Sequence, residues 1–476
     1  MTGSSAALAR VVSPRGPGAR SPGDPDPVAL TVVPPGRVCG RFAPGADHPD
    51  RVRLRCNGRG WATVPVVSEP AGVTFAADLP LEPGPVVVEV LDGDVLLGRA
   101  TVEPSPRRNA YGLDAEQVQA VYGRPLFSAP WMQFDGARLT VSGYHLPPDG
   151  DPGRLSVRLD EGVAYTFDYP VRTPEFGHHF WYWPNAELSS FILTIDLPAC
   201  RAGSDPFWFE FVYPGMDAGL EALPEAVRRA RRRISVPSRL DAAVCFPRDT
   251  TQLTRVQTWS TDQSVTVTGY GTYRTLEALF AQYGVGRRAG IEILDWGCGH
   301  GRIARHFVQN WPEARITGAD IDAENAGWCA RHLDGRFVTV PLLPPTGLPA
   351  ASFDGIFGVS VMTHLTAEAQ DAWLAEIARL LKPGGVALIT FSGPAATAYT
   401  SVFRSPDWWQ AWCDSGFDDS QHDPALDGKI GDDSYYRNTL HSPDYTLKVW
   451  SRHLEVVDIV PSAIGYQDVA VLRRRT

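Results

Sequence analysis

Residues 291–301 limit what this chain can fold into more than any other stretch. They read Ile-Glu-Ile-Leu-Asp-Trp-Gly-Cys-Gly-His-Gly. The first half is a short apolar run suited to a buried parallel strand ending at Asp295. The second half places Gly297, Gly299 and Gly301 at alternate positions, where a backbone without Cβ atoms turns sharply and admits a ligand closely. Residues 302–311 follow with Ile303, Phe307 and Trp311 four apart on one helical face, ended by Pro312. Strand, glycine turn and helix together make a nucleotide-type site with free backbone N–H groups at the helix start.

Spacing narrows the nucleotide. A dinucleotide fingerprint, G-x-G-x-x-G, needs its third glycine at position 302, which is Arg302, so a dinucleotide oxidoreductase is disfavoured. The pattern Asp295-x-Gly297-x-Gly299-x-Gly301 instead resembles motif I of class I S-adenosylmethionine-dependent methyltransferases. Further landmarks come in that family's order over roughly 100 residues. Arg315–Asp320 is a strand ending in an acid about twenty positions after the turn, where an acceptor-only carboxylate meets ribose hydroxyls. Asp322 is placed as the N-cap of a helix over 323–332. Phe353-Asp354 opens an apolar run to Ser360 that resembles the fourth strand. The loop through His364, a helix over 366–381 with Trp373, Leu374, Ile377 and Leu381 inward, and the Lys-Pro-Gly-Gly corner before a fifth strand at 386–391 complete the set.

The resemblance covers residues 262–476 and implies S-adenosyl-L-methionine as cofactor. Carried over residue by residue, it puts Asp295, Gly297, Cys298, Gly299, Gly301, Arg302, Asp320 and Ser360 at the donor. Arg302 is read as a partner for the donor carboxylate and Asp295 as a brace of the turn or a partner for its amine, with Ile321 and Leu342 or Leu343 around adenine. Tyr270, with Thr272 and Tyr273, is a candidate lid over the methionine end. More narrowly, Gly318-Ala-Asp-Ile-Asp322, Trp328-Cys329 and Ser360-Val-x-Thr-His-Leu365 look like a bacterial subgroup of surface-polysaccharide and sugar-containing natural-product pathways. The implied activity is O-methylation of a small-molecule or glycosylated acceptor. His364 is the first candidate for general base, because an imidazole titrates near neutrality; His422 and His441 rank below it. The acidic pairs Asp418-Asp419 and Asp432-Asp433 read as solvated loop residues, so no metal is assigned.

Composition sets the outer limits. A chain of 476 residues exceeds one core's usual size. A formal charge of −10 argues against nucleic acid as a partner, since phosphate binding wants a basic face. Seven cysteines without C-x-x-C pairing fit a reducing cytoplasm, and no apolar run reaches bilayer length. Oligomeric state is left open.

Along the chain, 1–27 reads as a disordered leader and 28–107 as a β-sandwich, from alternating runs with turns at Asn57-Gly58 and Asp92-Gly93. Residues 108–216 form a second β-rich unit, because Val38-to-Leu54 is echoed by Val141-to-Leu159. Its aromatics, including Phe176, Phe180, Tyr182, Trp183, Phe207, Phe209 and Phe211, read as core rather than as a sugar platform. Residues 217–261 are a helical connector whose five arginines between 228 and 233 read as a solvated face. The expected architecture is therefore multidomain: tandem β-sandwich units, then an α/β Rossmann-like methyltransferase domain with a seven-stranded sheet. A long polar insert after 391, with Trp408, Trp409, Trp412 and Tyr435-Tyr436, is expected to hold the acceptor. The competing class is a degenerate methyltransferase fold that binds glycan or protein.

Overall fold

A computed structural model describes residues 28–33, 37–70, 72–79, 85–102, 107–122, 125–134, 138–147, 150–151, 154–160, 162–196, 206–237, 262–400 and 404–476. The leader at 1–27 and the connector residues 238–261 lie outside the described residues.

Hydrophobic periodicity is met by a seven-stranded sheet. Its order is Arg336–Thr339, Arg315–Asp320, Glu292–Trp296, Phe353–Gly358, Leu381–Phe391, Gln467–Arg473, Glu455–Ile464. The first five are parallel, and Gln467–Arg473 alone runs against its neighbours. The order turns back between Glu292–Trp296 and Phe353–Gly358, and a crevice opens there at the carboxyl ends of open α/β sheets. Both faces of the sheet are covered. Ile303, Phe307 and Trp311 join one core, and Trp373, Leu374, Ile377 and Leu381 the other. Asp322 caps the helix Ala323–His332 by accepting from the Glu324 N–H at 2.9 Å.

Two elements matter for the site. The candidate lid residues Tyr270, Thr272 and Tyr273 lie on a helix that runs Asp262–Gln282. Two glycines lie inside it, and a Cβ on Gly269 would stand 2.5 Å from the Arg302 carbonyl oxygen, so glycine there allows helix and turn to meet backbone to backbone. The run Leu447-Lys-Val-Trp450 ends a helix, Pro443–Trp450.

The described residues between 28 and 237 are built mainly of β-sheets. Two four-stranded sheets enclose one core over 28–102, and a four-stranded and a three-stranded sheet share another over 126–236. The echoed segments behave alike. In each, the first strand (Arg37–Phe42, Arg138–Leu146) lies in one sheet and the next (Arg51–Cys56, Ser156–Leu159) in the other. Phe207, Phe209 and Phe211 are buried on alternate positions of one strand, as a sheet face packed on a core requires.

The connector differs from its expectation. After a helix Glu225–Arg232, residues Arg233–Val236 form a strand that extends the second unit's sheet. The arginine run is not a solvated face. Arg232 meets Glu210, Asp217 and Glu225 at 3.0, 2.7 and 3.2 Å, and Arg233 lies 3.6 Å over the Trp208 ring. Arg231 donates to the Pro461 carbonyl at 2.6 Å and so ties this region to the seven-stranded sheet.

Candidate functional site

A cleft opens at the carboxyl ends of the parallel strands. Asp295, Gly297, Cys298, Gly299, Arg302, Asp320, Ile321, Ser360 and His364 all line it. The turn that builds it is left-handed at Gly297, Gly299 and Gly301, with φ of +78°, +51° and +75°. A Cβ on Gly297 would strike Val361, whereas one on Gly299 would meet nothing within 4 Å, so the turn's open side is at Gly299. Beneath it the buried Arg305 guanidinium donates to the Gly301 and His300 carbonyls at 2.8 and 2.6 Å. These bonds satisfy the His300 carbonyl and add a second donor to the Gly301 carbonyl, which already accepts the Arg305 backbone N–H at 3.2 Å.

Asp320 is aimed into the cleft. Its Oδ2 accepts from the Gly299 N–H at 2.7 Å and its Oδ1 from the Asp322 N–H at 2.8 Å. Each carboxylate oxygen keeps a second lone pair for a ligand O–H. Burial raises its pKa to about 6, against the lowering effect of those two N–H groups. Burial lifts Asp295 further, to about 8, with the nearby Asp320 adding to the rise and Arg302 opposing it. Burial also lowers Arg302 to about 10, although Asp295 supports its charge. Two carboxyls whose anionic forms are disfavoured, side by side in a cleft, gain from any ligand that brings positive charge.

At the other end stands His364. Its Nδ1 lies 3.0 Å from the Arg437 carbonyl, which can only accept, so Nδ1 carries the proton and Nε2 keeps its lone pair. The ring stacks on Tyr436 with centroids 4.0 Å apart and planes at 12°. Burial lowers its pKa to about 4 despite Asp423 nearby, so the imidazole is neutral at physiological pH. Ser360, which precedes this loop, sits at φ +61°, a conformation costing a non-glycine residue of order 1 kcal/mol or more. It is held by its N–H donating to Thr390 Oγ1 at 2.7 Å and by Gln467 Nε2 donating to its Oγ at 3.0 Å.

Three expected residues are not brought to the cleft. Tyr270 is buried on the long helix against Tyr273 and His306 and forms no lid. Leu343 is half exposed and, like Leu342, does not line the cleft, whereas Ile321 does. Gly301 shapes the turn from behind, facing Leu333 and Cys329. Of the lower-ranked histidines, His441 is fully buried against Gln370 Oε1, and His422 is exposed beside Asp427. No cluster of potential metal ligands exists among the described residues.

The insert also reaches the cleft. Tyr435 and Tyr436, expected from the sequence to serve an acceptor, line it together with Leu426 and Ile430, which sequence reasoning missed. Tyr435 is fixed by donating to the Leu342 carbonyl at 2.6 Å. The adjacent tyrosines in an otherwise polar insert were the available signal.

A family model described as a methyltransferase domain matches residues 293–385. A fatty-acid O-methyltransferase of Mycolicibacterium smegmatis is 29% identical over 128 residues, 26% of this chain and 43% of that protein. The cyclopropane-fatty-acyl-phospholipid synthase of Escherichia coli is 30% identical over 110 residues, 23% of this chain and 28% of its own length. This chain thus spans less than half of either relative. A magnesium protoporphyrin IX methyltransferase from Synechocystis, crystallised with bound SAH, aligns at a TM-score of 0.33 and 16% identity, over 47% of this chain and 95% of its own. The matched span holds the glycine turn, Asp320 and His364, and leaves out both the β-sheets before residue 237 and the insert.

Proposed function

Starting from a chain whose residues 293–385 form a methyltransferase domain with S-adenosyl-L-methionine as cofactor, we propose that the protein methylates a hydroxyl of a small-molecule or sugar-containing acceptor. The observation that carries this reading is the pairing of Asp320 and Asp295 beside the open Gly299. A ribose-binding carboxylate and a second buried acid line a cleft that favours a cationic ligand. We place the ribose hydroxyls on Asp320, the adenine beside Ile321, and the amino-acid end between Asp295 and Arg302. When bound, the donor supplies a methyl group already activated on a sulfonium. The protein's task is then mainly to position donor and acceptor, an effect worth several kcal/mol.

His364 serves as the base. With Nδ1–H committed to the Arg437 carbonyl and Tyr436 fixing the ring plane, Nε2 is left to take the proton of the acceptor hydroxyl. A neutral imidazole with a low pKa is ready at pH 7 but weakly basic, which suits a step whose main driving force comes from an activated methyl. One relative is named an O-methyltransferase, in keeping with transfer to oxygen. Within this reading, the tandem sandwich units and the boundaries near 107, 216 and 261 describe an N-terminal part that serves the same enzyme, in a cytoplasmic setting.

The test is titration calorimetry with S-adenosylhomocysteine, followed by transfer of labelled methyl to candidate acceptors. Micromolar binding and label in a hydroxyl-bearing acceptor are expected. No binding at high micromolar ligand would leave the fold as a non-catalytic binding module.

A further inference from the structure

A second cavity lies on the far side of His364, which lines both it and the cleft. Its walls come from three parts of the chain. The methyltransferase strand ends supply Thr363 and Ser392, the insert supplies Gln421 and Asn438, and the second β-rich unit supplies Pro130 and Trp131. Trp131 sits on Leu126–Phe134, the edge strand of its sheet, which packs beside the helix Pro394–Thr400.

The chemistry of the walls narrows the occupant. The Trp131 indole stacks on Phe176, with centroids 6.0 Å apart and planes at 20°, and remains 42% exposed. One face is thus packed and the other is open. Among the described residues, the side-chain amides of Gln421 and Asn438 have no hydrogen-bond partner, and each offers both donors and an acceptor. The single cation among the described lining residues, Arg404, is taken by Asp418 at 3.5 Å and by the Trp408 ring at 4.4 Å. A fatty acyl chain would leave the half-buried Asn438 amide unpaired, and a phosphate would find no uncommitted positive charge. A pyranose has an apolar C–H face for the indole and a rim of hydroxyls for the amides.

We infer that this cavity is the acceptor site, that it takes a neutral pyranose ring, and that Trp131 of the β-rich unit is its stacking platform. The inference rests on the donor reading above and deepens it. A hydroxyl of a ring seated on Trp131 reaches the donor cleft past His364, the residue common to both spaces. The β-rich unit is on this view half of the acceptor site.

The experiment uses the full chain with labelled S-adenosyl-L-methionine. The acceptor probes are methyl hexopyranosides and methyl 6-deoxyhexopyranosides, with palmitate as the competing class. Methylation of at least one glycoside is expected. Trp131→Ala and Asn438→Ala should each raise its KM tenfold or more, while S-adenosylhomocysteine affinity, read by calorimetry, stays within twofold. Trp131→Phe should recover most of the loss, which separates stacking from folding. Labelled palmitate without labelled glycoside, donor binding with no glycoside methylated, or an unchanged KM in both alanine variants overturns the inference. Loss of S-adenosylhomocysteine binding in the unmodified chain instead overturns the donor reading, and this inference with it.

Discussion

The two ends of the cleft are built in different ways. The donor end comes from consecutive strand–turn–helix units within 293–385, and its shape follows from backbone conformation at three glycines and from one acid at a strand end. The acceptor end is assembled from pieces more than 300 residues apart, Trp131 and Asn438 among them, and its shape depends on how separate units dock. The first kind of site survives change elsewhere in the chain. The second can change substrate by altering a few side chains, and most of its lining lies outside the residues that the family model matches.

Four experiments would break or sharpen this contrast. The largest effect is expected for His364→Ala, which should lower kcat by about a hundredfold, the lower range for loss of a positioned base. S-adenosylhomocysteine affinity should stay near wild type, and equal turnover would remove His364 as base. Asp320→Ala should weaken donor binding at least tenfold, because charge-assisted hydrogen bonds to the ligand and the tether to Gly299 are lost together. Unchanged affinity in calorimetry would put the ribose elsewhere. Arg232→Ala should cost about 3 kcal/mol of stability, seen as a lower Tm, by leaving buried Glu210 with only Arg233 at 3.4 Å as its cation. Donor affinity should not move, and a loss of affinity would give the arginine cluster a functional role.

The smallest effects concern pH. Asp295 holds its proton below about 8 and Asp320 below about 6. A cationic donor favours both anions, so affinity should fall as pH drops through 8 and more steeply below 6. Turnover at saturating donor should hold down to about pH 4, where His364 becomes charged. A loss of turnover centred at 6.5 would show that the imidazole is not buried in the working enzyme.

What was legible in the sequence follows the same division. The left-handed glycine turn, the strand ending at Asp320, the Asp322 cap and the helix faces are local patterns, set by φ angles and a 3.6-residue period, and as local structure they form as expected. The helix through the expected lid was hidden by Gly269 and Gly271, both poor helix formers, of which Gly269 is needed for contact with the Arg302 backbone. The arginine run was misread because its partners Glu210 and Asp217 lie on other elements, and charge pairing across a fold has no period. Phe176, Phe180, Tyr182 and Trp183 were rightly read as buried. Nothing in their spacing showed that they would pack against Trp409 and Trp412, or that the Tyr182 hydroxyl would donate to the Ala398 carbonyl at 2.8 Å.

The helix Asp262–Gln282 buries Val267 with the second β-rich unit's core and Leu276, Leu279 and Phe280 with the catalytic one, while Gly269 rests on the Arg302 backbone. One rigid rod therefore shares two hydrophobic interiors and braces the donor turn midway. A shortened polypeptide beginning near 262 would bare Val267 to water and lose half of the rod's seat, so it should melt earlier and grip its nucleotide less firmly than the intact protein. Heating the intact protein should accordingly give one calorimetric transition spanning both interiors.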